Sequence, residues 1–547
     1  MPNTKYSKLE YMSDENKSSL KYGYDDANEN VQTIPLLQTS EDENSQSNFK
    51  LQKTVGFTAG LSIVVGTMIG SGIFIVPTGV LKECHGDVSL SMLIWTIGGL
   101  IAIIVALCYC ELSTTIPQSG GTATFLKKIY GDGLCFVFLW LFMLTATPQA
   151  TAVQIIALGD YISGAIEVGL GLCEEAKSPY LSKLIGCLIT LLVLTCNITN
   201  IKLAVKIQVW CAIGKVVALI IIAVAGIVKI TSDDSILVQN FEYGLLHGPA
   251  TILNVSGIPM VKAALSESLR STPGISGVSL AVFQALWAYD GFDSITCITD
   301  EVKNPRRTLP LIIITSVIAV MSLYLIVNLA YFGVLTKKEM ITSNAVAVHF
   351  AAKVHPWLSY VVTAGVCLSL IGSINVTFLT AGRMPFVAGR MGLMPEILSM
   401  VHVKYISPVP ALLFLTSLAT IMLFPSSIDM LLKANVFTLW AFRGACCAGI
   451  FILDKKFKHL KRPYKVYRTT AFLATLVTGY MVLVPLAFRP QILYVLALVL
   501  ALVFSVIYWF LKREYFVISG VGKVSVIIQK LLLVAPPDDN ETCNKFD

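Results

Sequence analysis

The segment Thr54 to Leu81 is apolar over a length that can cross a hydrocarbon layer of about 30 Å, yet its middle reads Gly66-Thr67-Met68-Ile69-Gly70-Ser71-Gly72-Ile73-Phe74. A helix in lipid must satisfy its own backbone hydrogen bonds, because no water is there to replace them. Three glycines and a serine within seven residues make a poor unbroken span. They make a good interrupted one, since glycine has no Cβ penalty in irregular backbone. An interruption at bilayer depth leaves free N–H groups at the start of the next half-helix, where the helix dipole adds positive potential. A carboxylate is the kind of group that such an end holds in discontinuous-helix membrane proteins. Close helix packing through small residues is the competing reading.

The rest of the chain repeats the apolar pattern. Of 547 residues, 55% are hydrophobic and 14% charged, which excludes a soluble core and indicates an all-α polytopic membrane protein. About twelve segments of spanning length fall near residues 54–81, 88–114, 133–163, 184–200, 203–229, 277–299, 310–334, 357–381, 409–425, 430–453, 470–487 and 490–511. They divide into five spans over 51–229, a long polar loop over 230–276, five spans over 277–453, and two more over 454–513 with the loop before them. Residues 1–50, rich in Asn, Ser, Asp and Glu, read as a disordered cytosolic tail. No short apolar stretch ahead of a small-residue cleavage site marks a signal peptide. Residues 514–547 read as a second cytosolic tail, in which Val517 to Val534 suits an interfacial helix or docking on the protein.

Basic residues fall unevenly on alternate loops. One set carries Lys127, Lys128, Lys202, Lys206, Lys303, Arg306, Arg307, Arg383, Arg390 and the run Lys455 to Arg468; the other carries far fewer, such as Lys82, Lys177 and Arg489. This asymmetry places both termini in the cytosol. The run Lys455 to Arg468 caps a membrane helix, which argues against nucleic acid. The thirteen cysteines fall mostly within spans, as small apolar residues. No Cys-x-x-Cys pair or His cluster marks a metal site. No clustered nucleophile and base mark an enzyme, and nothing calls for a cofactor.

The second span ends in Cys108-Tyr109-Cys110-Glu111-Leu112-Ser113-Thr114-Thr115-Ile116-Pro117-Gln118-Ser119-Gly120-Gly121, where proline and paired glycines stop the helix. This string resembles the Cys-Tyr-x-Glu-Leu-x-x-x-Ile-Pro-x-Ser-Gly-Gly pattern of L-type amino acid transporter light subunits, in the amino acid–polyamine–organocation superfamily. Gly70-Ser71-Gly72-Ile73-Phe74 resembles their first-helix signature. Thr299-Asp300-Glu301-Val302-Lys303-Asn304-Pro305 resembles their Thr-Glu-Glu-x-x-Asn-Pro loop, with Asp300 in place of a glutamate. Arg383 to Pro395 is similar to the cytosolic segment after their eighth helix. The motifs occur in order over roughly 50–513.

The sixth span carries the matching interruption, Trp287-Ala288-Tyr289-Asp290-Gly291-Phe292-Asp293, with a glycine at the place that corresponds to the first break. Two matched interruptions in two five-helix halves mark an inverted repeat with a binding site between them. The resemblance therefore implies a LeuT-like fold of twelve helices, five plus five in inverted repeat, the first and sixth discontinuous, and two further helices. A substrate carboxylate would sit on the N–H groups of Ser71, Gly72 and Ile73, beside Gly70. Its ammonium would face carbonyls near Ile69 and Trp287. Trp287 stands where the family carries an aromatic gate, with Tyr289 and Gly291 beside it. Lys215 takes the place of a fixed cation that substitutes for sodium; snorkelling to the interface is its other reading.

Asp290 and Asp293 are carboxylates at bilayer depth, where a lone charge costs at least a few kcal/mol. Family members that exchange both basic and neutral amino acids have an aspartate where Asp290 stands, as a counter-charge for arginine or lysine. Internal pairing with Lys215 or Arg443 is the alternative. Asp293 would orient the site. Leu439 stands where relatives often have asparagine.

The resemblance also implies a partner, a single-span heavy-chain glycoprotein disulfide-bonded to Cys173 in the loop 164–183. Asn254 begins a glycosylation sequon in the long loop, while the sequons at Asn16, Asn197, Asn375 and Asn540 fall in spans or tails and read as chance. The implied function is sodium-independent, one-for-one exchange of basic and neutral L-amino acids, including leucine and phenylalanine, at the plasma membrane. An exchanger restricted to large neutral amino acids, and an amino-acid sensor or scaffold, are the rivals.

Overall fold

The computed structural model describes residues 55–535 apart from 119, 171–178, 243–274, 344, 382–383, 386–387, 389–392, 406, 424–426, 458–461, 489, 514–526 and 528. The chain divides into a unit Met1–Lys50, outside the described residues, and a helical unit Leu51–Asp547. The first apolar segment is broken into α1 (Phe57–Met68) and α2 (Gly72–Glu83), bent by 44°. There follow α3 (Val88–Thr115), α4 (Gly121–Tyr130), α5 (Asp132–Leu141), α6 (Thr147–Leu170), α7 (Pro179–Thr199), α8 (Ile201–Ser232) and α9 (Ser235–Glu242). After the long loop come α10 (Ile275–Ala288), α11 (Pro305–Val334), α12 (Lys337–Thr342), α13 (Val346–Val354), α14 (Pro356–Ala381), α15 (Val409–Met422), α16 (Ile428–Lys456), α17 (Arg468–Phe488) and α18 (Ile492–Arg513).

Among the described residues nine helices are long and apolar enough to cross a membrane, and the bent pair α1–α2 makes ten. Two shorter apolar helices, Gly277–Ala288 and Val409–Met422, lie where the sixth and ninth spans are expected. The count of twelve requires both of these to cross. The chain is an all-α polytopic membrane protein, as its composition predicts.

Local chemistry sets the helix ends. Asp87 caps α3 by accepting from the Leu90 N–H at 2.9 Å, and Asn200 caps α8 through Leu203 at 3.0 Å. Asn304 adopts φ 48° immediately before Pro305 at the first position of α11. Asparagine tolerates the left-handed conformation and proline suits a helix start, so the Asn-Pro motif is a helix initiator. Gly120 and Gly121, at φ 116° and 53°, make the turn between α3 and α4. The Lys127-Lys128 pair, expected in a loop, lies instead in the last turn of α4, where cations favour the helix dipole. Between α5 and α6 the chain forms a π-helical turn, Phe142–Ala146, and Asn435 Nδ2 donates to the Ala146 carbonyl at 2.5 Å.

Several polar residues at depth pair across helices. Asn375 donates to the Ala204 carbonyl at 2.9 Å and to Gln208 at 3.1 Å, while Asn197 donates to Asn375 at 2.7 Å. This seam joins α7, α8 and α14. It leaves Asn197 and Asn375 3% and 1% exposed, unavailable to a glycan. Asn240, in the polar loop, donates to the carbonyls of Phe332 and Leu335 at 2.7 and 2.8 Å, closing the end of α11. Of the apolar piece Val517 to Val534, the described end docks on the protein. Val534–Ala535 (β2) pairs antiparallel with Val401–His402 (β1), and Val534 shares a small core with Met400 and Val409.

The basic run after α16 is partly internal. Arg462 lies 3.2 Å from Glu111 and is also paired with Asp454, while Arg468 lies 2.5 Å from Asp454. Glu111 also accepts from the Val466 N–H at 2.9 Å. The glutamate of the second-span motif thus fastens the end of α3 to the α16–α17 connection. Replacing one partner strands the others without compensation. Glu111→Gln is expected to destabilise the protein by about 3 kcal/mol, read in thermal unfolding, while Lys455→Ala, exposed on the same run, shifts it by less than about 0.5 kcal/mol.

Candidate substrate site at two apposed helix breaks

The two interruptions lie against each other. α1 closes with Ile69 donating to the Val65 carbonyl at 2.8 Å and Gly70 donating to that of Met68 at 2.8 Å. Ser71 then caps α2. A Cβ on Gly72 would stand 2.5 Å from the Ala288 Cα, at the last residue of α10. Beyond α10 the backbone turns through Gly291, at φ 100°, into a short 3₁₀ helix, Ser294–Glu301. A Cβ on Gly291 would meet Thr67 of α1, 2.8 Å from its Cγ2 and 3.3 Å from its carbonyl carbon. Each glycine is there because the other broken segment passes through the space a side chain would fill. The sequence predicts both breaks; the structure adds that they touch.

Four carbonyls around the first break accept from side chains of other helices. Lys215 Nζ reaches the Gly66 carbonyl at 2.5 Å, and Tyr324 Oη that of Met68 at 2.8 Å. Ser369 Oγ reaches the Gly70 carbonyl at 3.0 Å, and Tyr161 Oη that of Phe74 at 2.8 Å. The donors are treated differently. Ser71, Gly72 and Ile73 hold the N-cap and first two positions of α2, whose N–H groups have no acceptor within the helix. Ser71 and Ile73 are 3% and 0% exposed. The arrangement is a buried set of backbone donors with a positive helix end, shaped for an anionic group.

Lys215 is fully buried, which removes the snorkelling reading. It stands at the carboxyl end of α1, where the dipole is negative and a cation is favoured. Its partner in the structure is that carbonyl rather than Asp290.

Asp290 and Asp293 converge instead on Arg443 of α16. Arg443 Nη2 pairs with Asp290 Oδ1 and lies 3.2 Å from Asp293 Oδ1. The guanidinium carbon also stands 5.0 Å from the centroid of the Phe292 ring and 5.4 Å from that of Trp440. Asp290 caps its own turn as well, accepting from the Gly291 N–H at 2.6 Å. The internal pairing weighed for Asp290 is therefore present, with Arg443 and not Lys215. Two carboxylates face one guanidinium, so the ionised trio carries one excess negative charge.

Trp287 is 8% exposed at the last turn of α10, and its carbonyl accepts from the Asp290 N–H at 3.3 Å. That oxygen, expected to face an ammonium, keeps one lone pair. Tyr289 is placed differently from the expectation. Its hydroxyl donates to the Trp95 carbonyl at 3.0 Å, and its ring lies edge-on to Trp95, 6.0 Å between centroids. Its side chain is committed to α3, so it braces the break from behind. Cys173 and Asn254 lie outside the described residues.

Tyr161, Tyr324 and Ser369, which hold the broken backbone, were not anticipated. A tyrosine or serine within a span has many readings, and only the neighbouring segment shows which carbonyl it serves. Lys433, also missed, did carry a signal as a lysine within a predicted span.

The amino acid permease family matches residues 55–510. The chain is 32% identical to the b(0,+)-type amino acid transporter 1 of Homo sapiens, covering 92% of this chain and 99% of the relative. It is 34% identical to the Homo sapiens cystine/glutamate transporter, covering 95% and 97%. It is 30% identical to the Homo sapiens large neutral amino acids transporter small subunit 2, covering 89% and 86%. The chain therefore belongs to the amino acid permease family, among the L-type members of the amino acid–polyamine–organocation superfamily.

Proposed function

We propose that this protein is a sodium-independent antiporter of basic and neutral L-amino acids at the plasma membrane. It works as a light subunit linked through Cys173 to a single-span heavy-chain glycoprotein, with both termini cytosolic and twelve spans, ten of them in two inverted five-helix repeats. The observation that carries this reading is the asymmetry at the first break. Side chains from α6, α8, α11 and α14 occupy its carbonyls, while the N–H groups of Ser71, Gly72 and Ile73 have no acceptor within their helix. A substrate carboxylate supplies that acceptor. No covalent step is needed: alternating access requires only that substrate stabilise the occluded state relative to its open neighbours. Lys215, on the Gly66 carbonyl, provides a fixed positive charge of the kind a bound sodium ion would otherwise supply. Trp287, beside Gly291, closes over the substrate and excludes water.

The side-chain preference follows from the charge trio. Asp290, Asp293 and Arg443 leave one negative charge over, which favours a cationic substrate side chain and tolerates a neutral one. The second reading, a neutral-only exchanger, is favoured by the pairing of Asp290 with Arg443.

Proteoliposomes loaded with labelled leucine test the exchange. External leucine or arginine, in medium with choline in place of sodium, is expected to release the label; retention would instead mark a sensor or scaffold. Asp290→Ala separates the two substrate readings, because Asp293 still partners Arg443 when Asp290 is gone. Arginine transport efficiency is expected to fall by about thirtyfold or more, as for loss of a buried charge partner. Leucine transport stays within about threefold of the unaltered protein; an equal loss of both would remove the counter-charge role of Asp290, and a neutral-only exchanger would move no arginine even unaltered. On non-reducing gels of co-expressed subunits, Cys173→Ser is expected to abolish the high-mass band that reductant also abolishes.

A further inference from the structure

At the end of the bundle away from Glu111 and Asp454, three elements meet on the first turns of α16. Lys433 is 4% exposed there. Its Nζ lies 2.7 Å from Glu83 Oε1, on the last residue of α2, and 2.8 Å from Asp429 Oδ2, four residues earlier on its own helix. The other oxygen of Asp429 accepts from Gln284 Nε2 of α10 at 2.9 Å. Gln284 also lies across α2, since a Cβ on Gly79 would fall 1.7 Å from its Oε1. Thus α2, which follows the first break, and α10, which precedes the second, each deliver one polar contact to the same Asp429–Lys433 pair.

An ammonium this deep is costly unless it is paired. The pairing is nonetheless able to open, because the Asp429 side chain is 53% exposed and that of Glu83 15%, so the cluster borders water. Asp429 at this border is partly hydrated, so Lys433 keeps one paired carboxylate when Glu83 lets go. No atom of the cluster belongs to the groups that face the substrate at the breaks. The cluster is placed to hold the two half-helices against α16, and to let them go together.

We propose that Lys433 is a positioning residue of the transport cycle. By pairing with Glu83, and by holding Asp429 for Gln284, it latches α2 and α10 shut over bound substrate at this end of the bundle, and its release opens the path. The proposal rests on the transport reading above and names the groups that open and close.

Exchange kinetics of the full chain in proteoliposomes test it, with leucine and arginine measured separately. Lys433→Met and Glu83→Gln each remove one partner, while Lys433→Glu combined with Glu83→Lys and Asp429→Asn keeps one ion pair between α2 and α16 and removes the carboxylate that would otherwise repel it. Loss of the latch weakens occlusion, so KM is expected to rise about tenfold in both single variants. The arginine-to-leucine preference stays unchanged, and the reciprocal pair returns KM to within about threefold. Gln284→Leu leaves no charge unpaired and is expected to raise KM about threefold; it decides the matter if the lysine variants fail to assemble. An unchanged KM in assembled variants overturns the latch. So does a loss that the reciprocal pair does not recover, which marks a static brace. An unaltered chain that fails to exchange overturns the transport reading itself, and the latch with it.

Discussion

Backbone peptide groups cannot be left bare in hydrocarbon, and every feature around the two breaks follows from that constraint. Interrupting α1 after Met68 and α10 after Ala288 frees carbonyls and amides at a depth where water is scarce. The fold does not spread partners evenly over them. Tyrosine, serine and lysine side chains from four other helices take the carbonyls of Gly66, Met68, Gly70 and Phe74. The amides at the start of α2 have no acceptor within their helix. The breaks are therefore a structural liability met unevenly, and the neighbouring helices decide which half of each peptide group is covered.

The same economy governs the charges. Arg443, 5% exposed, would be untenable alone in a membrane span, and so would two aspartates on one turn. Brought together, they neutralise all but one charge and fix the polypeptide on both sides of Gly291. Glu111 with Arg462, Arg468 and Asp454 does comparable work at one end of the bundle, and Lys433 with Glu83 and Asp429 at the other. Both clusters include α16. That helix, rather than either broken one, is where ion pairs from distant parts of the chain converge.

The breaks themselves were legible in the sequence because glycine is a local signal: Gly70, Gly72 and Gly291 stand out in apolar surroundings whatever lies beside them. Lys215 was legible for the same reason, as a charge where charges are rare. The partners were legible only in part: Arg443, a charge within a span, stood as one of two candidate partners for Asp290. Nothing in Trp287 to Asp293 says that Arg443, 150 residues later, lies within reach of both aspartates. Tyr289 looks like a binding residue from its neighbours in sequence, and only the approach of α3 shows its hydroxyl committed to the Trp95 carbonyl. The helices α4, α9, α12 and α13 escaped notice because they lie outside the long apolar runs on which the reading of spans rested.

The π-helical turn at Phe142–Ala146 bears on how this bundle tolerates change. It accommodates one residue more than an α-helix would over the same rise, so α5 and α6 share one rod while their faces are out of phase by about 100°. Phe136 of α5 lies edge-on to Phe504 and tilted against Tyr508 of α18, whereas α6 presents Tyr161 to the carbonyl beyond the first break. An ordinary helix could not aim both residues at once. The widened turn is a rotary joint set to one angle, and a single deletion there would swing either the aromatic contact or the tyrosine out of register while leaving every residue in place.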